Sequence, residues 1–138
     1  METITLEKDI RVFYVTADSF PAGILAAHEK LHSIVPFPKD RRFFGLSRPE
    51  NNQGIVYKAA TEEISPNEAE KYHCDTLLIK KGNYRSMTLN DYAKDPQSIE
   101  RTFKKILESP NLDPRGYCVE WYLNDNKTVR CMVRIANS

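Results

Sequence analysis

No stretch of this sequence approaches the roughly 18 consecutive apolar residues that a membrane-spanning helix needs, so no bilayer contact is expected. The opening METITLEKDIRVFYV carries acids early and has no apolar run, which argues against a signal peptide. A basic excess is missing too: 20 Lys and Arg stand against 19 Asp and Glu, a formal charge of +1. Nucleic-acid binders draw much of their affinity from clustered cations that neutralise phosphates. Direct nucleic-acid binding by this chain is therefore not expected. Cysteine is scarce, with Cys74, Cys118 and Cys131 odd in number and without CxxC spacing. That excludes a disulfide framework or zinc ribbon and predicts buried or half-buried thiols in a reducing, cytoplasmic compartment. No glycine-rich phosphate loop and no Ser-His-Asp or Cys-His signature stands out, so no cofactor is expected. Cys118 could act as a nucleophile only beside a histidine that nothing in the sequence places there.

What is present is the composition of one folded domain: 138 residues, 41% apolar and 28% charged, enough to bury a single core. Ile10 to Thr16 alternates and is rich in β-branched and aromatic residues, a strand pattern. Asp18 and Ser19 can cap a helix with Pro21 in its first turn. Ile24, Ala27, His28, Leu31 and Val35 continue it at helical spacing until Pro36 and Pro38. Arg42 to Arg48 predicts a strand, PENNQG a turn and Ile55 to Glu63 a third strand. A polar linker, Ser65 to Tyr72, precedes a strand over Thr76 to Lys81. Tyr84 to Asp95 is expected to be loop with a short helical turn. Pro96 to Ser109 predicts a helix with the stripe Ile99, Phe103, Ile106 and Leu107. Tyr117 to Leu123 and Thr128 to Ile135 predict strands either side of an Asn124–Lys127 turn.

The order repeats. Phe43 to Ile55 spans twelve residues, as does Tyr117 to Val129. The chain therefore predicts an α+β fold, a single domain over 1–138 in which a strand-helix-strand-strand unit is duplicated. The halves run over about 8–64 and 73–136. One such unit exposes an apolar sheet face that it cannot cover alone, so two are expected to pack about a pseudo-twofold axis with an antiparallel sheet. A central ligand cleft is expected at that axis.

Glu120 interrupts the apolar strand YCVEWYL. Alternation places Cys118, Glu120 and Tyr122 on one face, and Tyr117, Val119 and Trp121 on the other. A carboxylate on a central strand must be hydrogen-bonded, paired or neutralised. Aromatic walls around it would attract a cation; the alternative is an exposed ion pair with Arg130 or Arg134. Leu46 is its counterpart by spacing in the first half. Tyr57 and Phe44 are candidate walls or plain core, Trp121 is open between pocket and core, and Met132 between adaptable wall and edge. His28 to His32, HEKLH, matches the H-E-x-x-H zinc pattern. Lys30 at an inner position, the prolines that follow and the lack of a spaced third ligand favour two structural histidines and no metal. Lys39, Arg41 and Arg42, like Lys80 and Lys81, read as solvated surface.

Phe20-Pro21-Ala22-Gly23, Gly82-Asn83-Tyr84, the run GYCVEWY over Gly116 to Tyr122 and the terminal VRCMVRI carry a resemblance to GyrI-like small-molecule-binding domains. These also serve as effector-binding domains of bacterial multidrug-responsive transcription activators. The resemblance covers nearly the whole chain. It implies a central pocket in which aromatic walls enclose a glutamate, here Glu120, with Tyr122 and Tyr84 as further ligand-binding residues beside Tyr57, Trp121 and Phe44. It also implies a stand-alone binder of a lipophilic, cationic or aromatic small molecule, for effector or drug sensing or sequestration. The chain has no room for the helix-turn-helix of the activators. Some stand-alone relatives hydrolyse strained cyclopropane-containing genotoxins, so a hydrolase using Glu120 is the alternative. A protein partner or a homodimer is left open.

Overall fold

The computed structural model describes residues 1–35, 41–50, 54–123 and 127–136. Pro36, Pro38, Lys39, the middle of the PENNQG turn and Asn124 to Asn126 lie outside the described residues. Within them are eight strands, all paired antiparallel, and three α-helices. The fold is α+β. It divides into a continuous unit, Asp9–Ile79, and a discontinuous unit, Met1–Lys8 with Lys80–Ser138.

The continuous unit holds β2 (Ile10–Thr16), α1 (Ile24–Ile34), β3 (Phe43–Pro49), β4 (Ile55–Glu62), α2 (Glu68–Lys71) and β5 (Asp75–Ile79). Its strands lie in the order β3-β4-β2-β5. Helix α1 covers one sheet face, burying Ala27 and Leu31 against Phe13, Tyr57 and Ala59. Burying one such aliphatic side chain contributes roughly 1.5–3 kcal/mol. Alternation puts Phe44 and Leu46 on the opposite face from Tyr57, since Ser47 pairs with Tyr57 and Phe44 with Ala60. Helix α1 begins later than the capping pattern at Asp18 and Ser19 predicts. Pro21 lies in the preceding turn, and Gly23 is the N-cap residue without a side-chain cap. A Cβ at Gly23 would meet the Ser19 carbonyl oxygen at 2.7 Å, so that turn excludes larger residues.

Two basic residues depart from expectation. Arg41, read as solvated, is buried: its Nη1 and Nη2 donate to Glu68 Oε1 and Oε2 at 3.2 and 2.7 Å, and Nη1 also donates to the Glu62 carbonyl at 3.1 Å. Arg42 donates from Nε and Nη2 to the Glu62 carboxylate at 3.0 and 2.8 Å. The Ser65 to Tyr72 stretch is correspondingly not a bare linker. Glu68 accepts the backbone N–H groups of Ile64 and Ser65, and α2 forms behind it.

The discontinuous unit holds β1 (Glu2–Leu6), β6 (Gly82–Asn90), α3 (Ser98–Ile106), β7 (Cys118–Leu123) and β8 (Thr128–Arg134), with a single 3₁₀ turn over Tyr92–Lys94. Its strand order is β1-β6-β8-β7. Over Tyr84 to Asp95, where the sequence predicts a loop with a short helical turn, the turn forms at Tyr92–Lys94, but the strand Gly82–Asn90 replaces the loop before it. Tyr84 and Ser86 face one side, and Met87 and Leu89 pack with α3 on the other. Interleaved polar residues mask that alternation. Phe103 and Ile106 of α3 meet Val129, Cys131 and Val133 of β8, so each unit repeats the same helix-on-sheet plan.

Candidate functional site

In the discontinuous unit, β7 carries Cys118, Glu120 and Tyr122 on one face. Cys118 and Tyr122 both pack into the α3-side cluster, and Glu120 pairs in register with Cys131, a buried member of it. Glu120 therefore sits on the helix-covered face, 7% exposed. The Tyr122 hydroxyl donates to its Oε1. A second phenol closes in from the 3₁₀ turn, with the Tyr92 ring 6.0 Å from that of Tyr122 at a tilt of 47°. Burial, and then the Glu120 charge, push the Tyr92 phenol above its ordinary range. The same two causes raise the Cys118 thiol to about 11 and also raise Cys131. A thiol so raised is mostly protonated at neutral pH, which does not favour Cys118 as a nucleophile. Glu120 is buried, not the exposed carboxylate of the alternative reading; of the two arginines weighed beside it, Arg130 lies 5.2 Å over the Trp121 ring and Arg134 reaches Asp113 at 3.2 Å.

The remaining predicted residues separate by face and by unit. Trp121 shares the face away from α3 with Tyr84, Ser86 and Met132, as the registers Trp121–Arg130, Val119–Met132 and Ser86–Met132 require. Met132 is fully buried there, not at an edge. Tyr84 is buried, and its hydroxyl donates to the Lys80 carbonyl at 2.5 Å. In the continuous unit Tyr57 lies on the α1 side and Phe44 on the other, both buried. Leu46 points away from α1, so twelve-residue spacing does not make it the structural equivalent of Glu120. On the helix side of β3 stand Gly45 and Ser47.

Tyr57 belongs to an aromatic group. His28 Nε2 and Tyr57 Oη lie 2.7 Å apart. The Phe20 ring, 41% exposed, stacks on Tyr57 at 6.2 Å, and His32 lies 4.6 Å from the Phe43 ring. Burial first, and the neighbouring His32 second, hold His28 down at about 4; burial lowers His32 as well. The His28 imidazole is thus neutral at pH 7. HEKLH does place its histidines on one side of α1, with ring centroids 6.4 Å apart. Among the described residues no group of three or more His, Cys, Asp and Glu could hold a metal ion. The sequence reading missed Tyr92 and Phe20. The usable signals were the Asn90-Asp91 turn dipeptide before Tyr92 and the aromatic Phe-Pro step before α1.

No protein-family model and no curated protein matches the chain by sequence. Solved structures do match. One is an integron cassette protein from the mobile metagenome of Vibrio cholerae, with a TM-score of 0.68 at 14% identity over 97% of this chain and 94% of that one. Another is SAV2435 bound to tetraphenylphosphonium, with a TM-score of 0.69 at 12% identity over 99% and 93%. A third is a candidate bacterial transcription regulation protein from Staphylococcus aureus MU50, with a TM-score of 0.63 at 13% identity over 99% and 97%. The chain shares their fold. At these identities the likeness extends to the architecture and no further.

Proposed function

We propose that this chain is a small-molecule-binding protein whose ligand is a lipophilic or aromatic cation held at Glu120. The observation that carries this reading is Glu120 itself, a carboxylate 7% exposed with the Tyr122 hydroxyl on it and the Tyr92 ring beside Tyr122. Aromatic faces and a sheltered negative charge together favour a desolvated cation. The tetraphenylphosphonium on SAV2435, a protein of the same fold, supports that ligand class. Tyr84 and Trp121 lie on the opposite sheet face from Glu120, and Tyr57 and Phe44 belong to the other unit, so the proposal rests on Glu120, Tyr122 and Tyr92. Drug or effector sensing, or sequestration, is the corresponding role.

Binding of this type tolerates varied ligands, because it rests on ring contact, apolar burial and one charge. Calorimetric titration with tetraphenylphosphonium tests it. The intact protein should bind, and Glu120→Gln should weaken binding about tenfold to hundredfold, the range for a phosphonium centre held about 6–12 Å from the carboxylate by its own phenyl rings at an effective dielectric near 20. Equal affinity in the two proteins would remove Glu120 from the account.

A further inference from the structure

The strand just before β2 and the strand just before β6 each pair in the unit that does not hold the next strand of the chain. β1 precedes β2 in the chain but pairs with β6, through Glu2–Ser86, Thr3–Arg85, Ile4–Tyr84, Thr5–Asn83 and Leu6–Gly82. β5 precedes β6 but pairs with β2, from Ile10–Ile79 to Tyr14–Asp75. The two donated strands share a pattern: Glu2-Thr3-Ile4-Thr5-Leu6 and Asp75-Thr76-Leu77-Leu78-Ile79, each an acid, a threonine and two aliphatic residues two apart. Their inner positions match as well, with Ile4 and Leu6 half-buried in one and Leu77 and Ile79 turned inward in the other. Each is an edge strand at one end of its own unit's order, β1-β6-β8-β7 and β3-β4-β2-β5.

The attachment of β1 is slight. Glu2, Thr3 and Thr5 are exposed, so β1 is held by backbone pairing, two aliphatic side chains and two exposed side-chain hydrogen bonds, Thr5 Oγ1 to Asn83 Oδ1 at 2.6 Å and Arg85 Nη1 to Thr3 Oγ1 at 3.1 Å. Those interactions would be identical if the strand came from a second molecule. The link from Leu6 to Ile10 is Glu7-Lys8-Asp9, three charged, exposed residues without proline. A short connection of this kind can open into an extended hinge, and every strand pair is remade when it does. A sheet edge left by a departing strand is also a template for the next chain.

We propose that the β6 edge accepts β1 from a second copy of this chain, giving a closed two-fold dimer with reciprocally exchanged first strands. The partner is the same sequence, selected by the acid-Thr-aliphatic-x-aliphatic pattern that this fold already uses twice.

Paired cysteines read the exchange directly. Directly opposed residues in an antiparallel pair have Cβ atoms about 4.5–5.5 Å apart, so Thr5→Cys with Asn83→Cys can cross-link β1 to β6. Glu2→Cys with Ser86→Cys samples the alternate type of strand pair should the first bond form poorly or the first variant fold badly. Each variant is unfolded, refolded at micromolar and at near-millimolar concentration, oxidised, and run denatured without reductant. The proposal predicts a covalent dimer that grows at least tenfold in share with concentration. Deleting Lys8 should raise it further, and inserting Gly-Ser after Lys8 should lower it. Variants carrying only one of the two introduced cysteines beside the native Cys74, Cys118 and Cys131 should stay monomeric. Monomer alone at every concentration, including with Lys8 deleted, would overturn the exchange, as would equal dimer from the variants with one introduced cysteine.

Discussion

Acid should strip stability from this protein in two stages, the upper led by His28 and the lower by Glu68, with further shares from His32 in the upper and from Glu50 and Glu62 in the lower. The upper stage rests chiefly on His28, whose folded value near 4 lies below the ordinary 6.5 because burial, and then His32, oppose its charge. A depressed pKa means the unfolded chain binds the proton more tightly. The stabilisation is therefore complete above pH 6.5 and is lost as the pH falls toward 4. A difference of about 2.5 units corresponds to roughly 3 kcal/mol, and since His28 is only partly buried about 2 kcal/mol is the better expectation. The lower stage rests mainly on Glu68, held near 2 instead of 4.5, chiefly by the Arg41 hydrogen bonds and then by the Ile64 and Ser65 N–H groups, against the opposing cost of burial. Its contribution is complete above pH 4.5 and disappears between 4.5 and 2. With the Glu68 side chain 10% exposed, about 3 kcal/mol is at stake. Urea unfolding followed by circular dichroism at half-unit pH steps from 7.5 to 2 resolves both. His28→Gln should shrink the loss between pH 6.5 and 4 by more than half, with the remainder from His32. Glu68→Gln should lower stability at pH 7 by about 3–5 kcal/mol, since Arg41 is left buried without its charge partner, and should flatten the curve below pH 4.5. An unaltered upper stage in His28→Gln would refute the assignment.

Other consequences can be checked on the same protein. Tyr122→Phe strips a hydrogen-bond donor from a buried carboxylate and should cost about 1–3 kcal/mol in urea denaturation. Alkylation of Cys118 at pH 7.5, followed by peptide mass spectrometry, should run at least tenfold slower in the folded than in the unfolded protein, given a thiol raised to about 11. Leu31→Ala and Ile106→Ala, both at fully buried positions under α1 and α3, should each cost about 2–5 kcal/mol.

Much of this architecture was legible because periodicity survives where one face is plainly apolar. IRVFYVT, RFFGLSR, YCVEWYL and TVRCMVRI fall on β2, β3, β7 and β8, and the stripes through Leu31 and Ile106 fall on the two longer helices. Strand β6 was not legible: GNYRSMTLN alternates a buried Tyr84 and Ser86 with Arg85, Met87 and Leu89, so polar residues stand on both faces. Strand β1 carries three exposed polar residues in five and no core residue, and the linkage that makes it a strand lies about 80 residues away. Arg41 and Arg42 resembled surface because their partners, Glu68 and Glu62, are more than 15 residues on and no local pattern pairs them. Glu120 stood out as the lone acid in an apolar strand. Alternation grouped it with Tyr122 but could not say which face the helix covers, and Tyr92 enters that face from a segment read as loop.

A two-by-two titration asks most directly whether the charge of Glu120 selects the ligand. Tetraphenylphosphonium and a neutral triaryl analogue, triphenylphosphine oxide, are each titrated into the intact protein and into Glu120→Gln. The account predicts that the substitution weakens the cation about tenfold to hundredfold and leaves the neutral analogue within a factor of about two. An equal loss for both compounds, or for neither, would contradict it.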